Sequence, residues 1–397
     1  MPLTFTRRGF ASLLALTPFL SPARAEESWD DIEKQARGQT VYFNAWAGSP
    51  QVNDYIAWAA GELATRHGIT LEHVKLSDTG EAVRRVRDEV KAGRQGSVDL
   101  IWINGQNFHV MKEEQLLFGP FTGDLPNFAL VDTDGKPTTL VDFAEGTEGL
   151  ESPWGMAQLT FFADGAKLDT PPMSMLELLD LARDEPGRIT YPAPPDFHGT
   201  TFVKQALVET IDDRALLPLA IDKDTFTEAT QPLFEFLDQL HPYLWREGKQ
   251  FPPTQAQVTQ MLSDGELLMG LTFNPNEAAN LVSAGTLPDT TIAWQNRGGS
   301  IGNSHFVAIP INSNSKAAAQ VVADFLLSPE AQARKADLKI WGDPTVLDMD
   351  KLTPAQRALF TGGDAPGAVK DPARTIPEPH GSWVPLLEAA WLERYGA

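Results

Sequence analysis

Cysteine is absent from the 397-residue sequence. Its absence excludes disulfides, thiolate metal sites, a cysteine nucleophile and a lipid-modified N-terminal cysteine. Long apolar runs are also missing. Beyond the N-terminus nothing approaches the roughly 18 uninterrupted apolar residues that mark a membrane-spanning helix, so an integral membrane protein is not expected. Basic residues are scarce, with 32 Lys and Arg against 53 Asp and Glu. A nucleic-acid partner requires a dense basic face, and none is visible. Tyrosine is rare too: five residues, no two adjacent, which argues against a ferric site built on paired phenolates. No His-Glu-x-x-His helix, phosphate loop or nucleophile elbow is read along the chain, so an enzyme is not expected. No metal site or cofactor is expected either.

What is present begins with an unusual leader. Arg7 and Arg8 precede an apolar stretch from Phe10 to Leu20, and "SPARA" closes it with a small-x-small pattern before Glu26. This order of charge, apolar run and small residues reads as an export signal over residues 1–25, and "TRRGF" fits the twin-arginine route. Without those 25 residues, 29 basic and 53 acidic residues remain, a net charge of −24. Such acidity keeps a protein dispersed and biases encounters toward cations.

At this length two or three domain-sized units are expected. Strands over 40–43, 69–76 and 98–103 alternate with helices that begin after Ser49-Pro50 and at Asp78-Thr79. This β-α-β-α-β order predicts a parallel sheet with right-handed crossovers. A second α/β unit is predicted from strands at 159–163, 188–191, 267–273 and 291–295 and helices at 174–183, from Gly199, and at 254–262. The strand 303–310 and the helix 316–327 return the chain to the first unit, and the last sixty or so residues read as helical segments with Pro-rich joins. The expected division is residues 26–152 with 303–328 as lobe 1, 153–302 as lobe 2, and 329–397 packing on both. Two crossings, near 150–160 and 300–310, make a hinged clamshell the expected architecture.

The stretches "VYFNAWAGS", "DLIWING", "SPWG", "DFLLSPEAQ" and "WGDPTVLDMD" together resemble the bacterial extracellular solute-binding proteins of ABC importers. The thiamine-, polyamine- and iron-binding group is the one they look like, and within it the YnjB-type subgroup. The resemblance covers nearly the whole chain after the leader. It implies a type II periplasmic-binding clamshell of two mostly parallel sheets and capture of a small molecule. It also implies delivery to an inner-membrane permease with a cytoplasmic ATPase, and no catalysis by this chain. A periplasmic monomer is expected. The rival readings are an exported hydrolase and a ligand sensor for a membrane receptor.

In open α/β sheets ligands lie beyond the carboxyl ends of the strands. That rule selects Asn44, Trp46 and Ser49 after the first strand, and Trp102 and Asn104 after the third. Trp154 falls at the first crossing. In "PDFHGTTF", His198 and Thr200 stand at a helix start, with Thr200 as a possible cap. Phe273 and Asn274 end a second-lobe strand, and Arg297 lies in a glycine-rich loop before the second crossing. Indole faces hold cations or flat rings, and amides select neutral polar groups. A thiamine-like or polyamine-like cation is therefore favoured, with a polyol as the other option.

Overall fold

The structure is a computed structural model that describes residues 28–360, 365–370 and 372–396, so the leader lies outside the described residues. β1 (Thr40–Trp46), β2 (Thr70–Leu76) and β3 (Leu100–Ile103) alternate with helices Pro50–His67 and Gly80–Lys91. β4 (Val141–Asp142) and β5 (Glu145–Gly146) form a small hairpin. β6 (Glu151–Gln158) and β7 (Thr160–Asp164) follow almost without a break. β8 (Met269–Thr272), β9 (Thr291–Trp294), β10 (Ser300–Ala308) and β11 (Thr375–Ile376) complete the strands.

β1 pairs in parallel with β2 and β3, as its βαβ connections require. β10 then runs antiparallel to β3 on one side and to β6 on the other. Along β1 the side chains alternate: Val41, Phe43 and Ala45 enter one apolar cluster with Leu63, Val322 and Trp341. A separate cluster, with Val83, Val86, Phe108 and Phe306, gathers Ile101 and Ile103 of β3. A third cluster, around Phe162, Leu179, Phe202, Leu237 and Trp391, belongs to the other half of the chain.

β6 and β10 connect these cores. On β6, Trp154 and Met156 pack in the first cluster, whereas Ala157 packs in the third. On β10, Ile301 packs in the third cluster while Val307 packs in the first. The two strands stay paired from Gly302–Gln158 to Ala308–Glu151, so one antiparallel ribbon passes through both lobes. After β10 the chain adds Ala331, Trp341, Val346 and Leu352 to the first core, and the final helix Trp383–Tyr395 adds Trp383, Leu387 and Trp391 to the third.

Two expectations are corrected. The second-lobe sheet, β8-β7-β9, is antiparallel at both pairings rather than mostly parallel. Neither neighbour is reached from β7 by a single crossover helix, so nothing imposes the parallel sense there. Residues 188–191 form no strand. The carbonyls of Arg188 and Ile189 accept single bonds from Leu268 and Trp245, each 2.8 Å, and the prolines that follow supply no ladder donors.

Candidate functional site

The ends of β1, β2 and β3 meet at one edge of lobe 1. Ala47 N–H bonds the Leu76 carbonyl at 3.0 Å, which sets the turn after Trp46 beside Ser77-Asp78-Thr79. Thr79 Oγ1 donates to the Trp102 carbonyl at 3.3 Å. Trp46 is 37% exposed and meets Trp102 edge-on at 6.4 Å. Gly48 lets the indole fold back, because a Cβ there would lie 2.2 Å from Trp46 Cζ2. A glycine two residues past the strand is thus a packing requirement of the indole.

Behind Trp46 stands an aromatic wall. Trp102 contacts Trp154 at 4.8 Å, His305 at 5.1 Å and Trp341 at 6.0 Å between ring centroids. Trp154 is fully buried, its Nε1 without a partner, so in this conformation it backs the wall rather than facing solvent. His305 stacks on Trp341 and bonds Asp343 at 3.0 Å, and Asp343 also pairs with the buried Lys335. Gly155 lies opposite His305 on β6 and leaves the room they need. A Cβ at that glycine would sit 2.0 Å from His305 Nε2 and 2.1 Å from Asp343 Oδ2.

Other expected residues scatter around this edge. Asn44 is fully buried; its amide donates to the Tyr42 carbonyl at 3.2 Å and its Oδ1 has no partner. Asn104 is turned to the Ser304 carbonyl at 2.7 Å, which ties β3 to β10. Ser49 stands at the N-cap position of the helix Pro50–His67, but its hydroxyl bonds Gln51 Oε1 at 2.9 Å instead of capping.

On lobe 2 the helix Phe197–Thr210 begins two residues earlier than Gly199, and Asp196 caps it through His198 N–H and Gly199 N–H. Thr200 therefore does not cap; its hydroxyl donates to Glu388 Oε1 at 2.9 Å. Burial pushes the Glu388 carboxyl above its ordinary range, against the pull of the Thr200 bond and Lys204, and the charge of Asp78 adds to the rise. Asp78 belongs to lobe 1 and Glu388 to the helix that packs on lobe 2, so a lobe 1 charge reaches a lobe 2 carboxyl. His198 lies beside Asp196 at 3.6 Å and packs edge-on against Phe197, whose own ring is 43% exposed.

Phe273 is buried in the lobe 2 core against Phe197. Asn274, together with Asn280, donates to the Trp341 carbonyl, at 3.1 and 2.5 Å, and Asn276 donates to the Gly342 carbonyl at 2.6 Å. Three second-lobe amides thus hold the corner that carries the first-lobe indole. Arg297 makes an exposed ion pair with Glu177 at 3.3 Å on the second lobe, away from these groups.

The sequence reading found few charges here, and the structure adds several. Lys204 is 1% exposed, bonds Glu378 Oε2 at 2.6 Å and lies 4.5 Å from the Phe143 ring of the β4–β5 hairpin. One more signal was passed over: Gly298, Ser300 and Gly302 spell Gly-x-Ser-x-Gly. Ser300, however, opens a strand, is fully buried, and its hydroxyl accepts the Asn296 N–H at 3.0 Å. A nucleophile elbow instead exposes its serine between a strand and a helix.

Comparison with known proteins fits this architecture. Residues 58–349 match the family described as bacterial extracellular solute-binding protein. Over 386 residues the chain is 47% identical to protein YnjB of Escherichia coli strain K12, covering 97% of this chain and 98% of that one. Two solved structures share the fold at low identity. The periplasmic binding protein AfuA of Actinobacillus pleuropneumoniae, with fructose 6-phosphate bound, superposes with a TM-score of 0.61 at 16% identity, over 90% of this chain and 99% of that one. The spermidine/putrescine ABC transporter substrate-binding protein PotD of Streptococcus pneumoniae gives a TM-score of 0.61 at 13% identity, over 90% and 98%. Two lobes threaded by one ribbon, a type II periplasmic-binding fold, and a family match over most of the chain converge: this protein belongs to the bacterial extracellular solute-binding family, whose members are the solute-binding components of ABC transporters.

Proposed function

We propose that this chain captures a small organic cation, an amine of the polyamine or thiamine type, in the periplasm and presents it to an inner-membrane permease. The observation that carries the reading is the part-buried Glu388 carboxyl on the lobe 2 side, held by Thr200 Oγ1 at 2.9 Å and within reach of the charge of Asp78 on lobe 1, together with the half-open indole of Trp46 after β1. The charge of Asp78 adds to the cost of ionising the part-buried Glu388, and a cation placed between them removes that cost. The gain exists only when the lobes are together, which is what a ligand must supply to favour closure. An indole face against the same cation adds a cation–π contact. The net charge of the exported part acts in the same direction at longer range. One fold relative is named for spermidine and putrescine and another holds fructose 6-phosphate, so fold alone does not choose between cation and anion.

Calorimetric titration of the purified chain with spermidine, thiamine and fructose 6-phosphate tests the choice. Saturable binding of a cation, weakened by Glu388→Gln and by Asp78→Asn, is the expected result. Tight binding of the sugar phosphate with none of either cation would sink it. Native mass spectrometry of the same preparation would identify any ligand carried through purification.

A further inference from the structure

We propose that His109, Glu145 and His380 form a site for a first-row divalent cation, zinc foremost, that fastens the C-terminal segment to lobe 1. This goes beyond the capture of an organic cation and does not depend on it. One ligand atom from each of the three side chains lies within 4.8 Å of the others. His109 Nδ1 is 2.8 Å from Glu145 Oε2, and the two imidazole rings meet nearly at right angles with centroids 5.2 Å apart.

The donor set is two imidazoles and one carboxylate, ligands that zinc and its neighbours take readily. Three protein ligands leave a fourth position for water. Ligand edges around tetrahedral zinc are about 3.3 Å, so modest rotamer adjustments close the triangle. Each ligand is held by its element. His109 projects from the helix Gln106–Glu113, and Glu145 opens β5 in the hairpin. His380 Nδ1 accepts the Ser382 N–H at 3.2 Å and lies 3.0 Å from Ser382 Oγ, which fixes the ring with Nε2 outward; ligation through Nε2 releases the proton that this tautomer carries there.

The surroundings are rich in carboxyl groups. Asp142 and Glu151 are each 1% exposed; burial holds both carboxyls well above their ordinary range, and the charge of Glu145 adds to the rise at each. Both Glu151 carboxylate oxygens and Asp142 Oδ1 have no hydrogen-bond partner. The neighbouring cation, Lys112, lies 3.6 Å from Glu145 Oε1 but only 2.8 Å from Glu148. A bound dication is balanced by the Glu145 carboxylate, and its field lowers the cost of ionising Asp142 and Glu151 beside it.

Placement gives the site a consequence. His380 N–H bonds the Leu217 carbonyl at 2.8 Å, and Ser382 Oγ accepts the Ile221 N–H at 3.0 Å, so the backbone of this segment is anchored on lobe 2. Its imidazole reaches a helix and a hairpin of lobe 1. A cation bound there links the lobes and favours the closed arrangement.

Calorimetric titration of chelator-treated full chain with zinc sulfate tests the site, with cobalt(II) absorption as a readout of the coordination sphere. One zinc per chain is expected, along with a cobalt spectrum of a four-coordinate nitrogen–oxygen site. His109→Ala and His380→Ala should each weaken binding at least about tenfold. If either fails to fold by circular dichroism, Glu145→Gln, which keeps the shape and removes the charge, should weaken zinc in the same sense. Absence of saturable zinc binding by the wild-type chain would overturn the proposal. Undiminished binding in folded variants would do the same.

Discussion

Single residues carry much of the site. Gly155 is the sharpest case, because any side chain there would enter the space of His305 and Asp343. Gly155→Ala should cost about 2–4 kcal/mol in urea-induced unfolding, since both neighbours are buried and one is tied to Lys335. A loss under half a kcal/mol would mean the wall yields easily. Trp46→Ala should weaken the ligand found by titration about tenfold or more while the melting temperature of the ligand-free protein hardly moves, because the indole is 37% exposed. A large loss of melting temperature with intact affinity would make it a core residue. The place of Trp46 at the sheet edge was legible in the sequence, because the end of a strand in an α/β sheet is marked by topology. Lys204 was not: its partner Glu378 is 174 positions away, and nothing local marks a lysine as buried. Lys204→Met should cost about 3–5 kcal/mol by stranding Glu378, and the double change with Glu378→Leu should recover most of that in the same unfolding experiment.

At the scale of elements, periodicity and caps located the helices and strands of lobe 1, because each βα unit there carries its own start and stop. The helix Lys316–Leu327 falls where the sequence placed it. Strand direction in lobe 2 was not legible, since it depends on pairings between β7 and strands more than a hundred residues later. The hairpin β4–β5 was missed for a different reason. Its turn residues Phe143 and Ala144 adopt left-handed φ values of 44° and 66°, which no turn signature of Gly or Asn announces. Burial of the Phe143 ring beside Lys204 offsets that backbone cost.

The final helix offers an elemental test through pH. Trp391 Nε1 donates to Tyr191 Oη at 2.8 Å, and Tyr191 Oη lies 2.7 Å from His241 Nε2. Burial pushes His241 down to about 4, with Asp238 opposing weakly. The unfolded chain protonates this imidazole near pH 6.5. The stability contribution is therefore complete above 6.5 and falls as pH drops toward 4, by on the order of 2 kcal/mol. Several buried carboxylates held above their ordinary range act in the opposite sense, so the comparison must be with His241→Gln. Between pH 7.5 and 4.5 the wild type should lose about 2 kcal/mol more than this variant in urea midpoints. Parallel curves would mean that the His241 imidazole titrates in the folded protein as it does in the unfolded chain.

At the scale of the whole molecule, the two-lobed plan was visible in the sequence as two α/β runs with the chain returning to the first. The contacts that set one lobe against the other were not, because they join loops remote in sequence: Asn274 and Asn280 to Trp341, Asn276 to Gly342, Lys204 to the hairpin ring of Phe143. The ribbon β6–β10 is the structural continuity about which such halves move. Because the chain has no cysteine, spin labels attach only where cysteines are introduced, and exposed Arg94 on lobe 1 and Gln239 on lobe 2 are suitable places. The most direct test is the distance between nitroxides at Arg94→Cys and Gln239→Cys, measured by pulsed dipolar spectroscopy with and without the tightest-binding cation. The distribution should shift and narrow when the ligand binds, and far less in a Glu388→Gln background. A ligand that binds tightly yet leaves the distribution unchanged would contradict capture by closure.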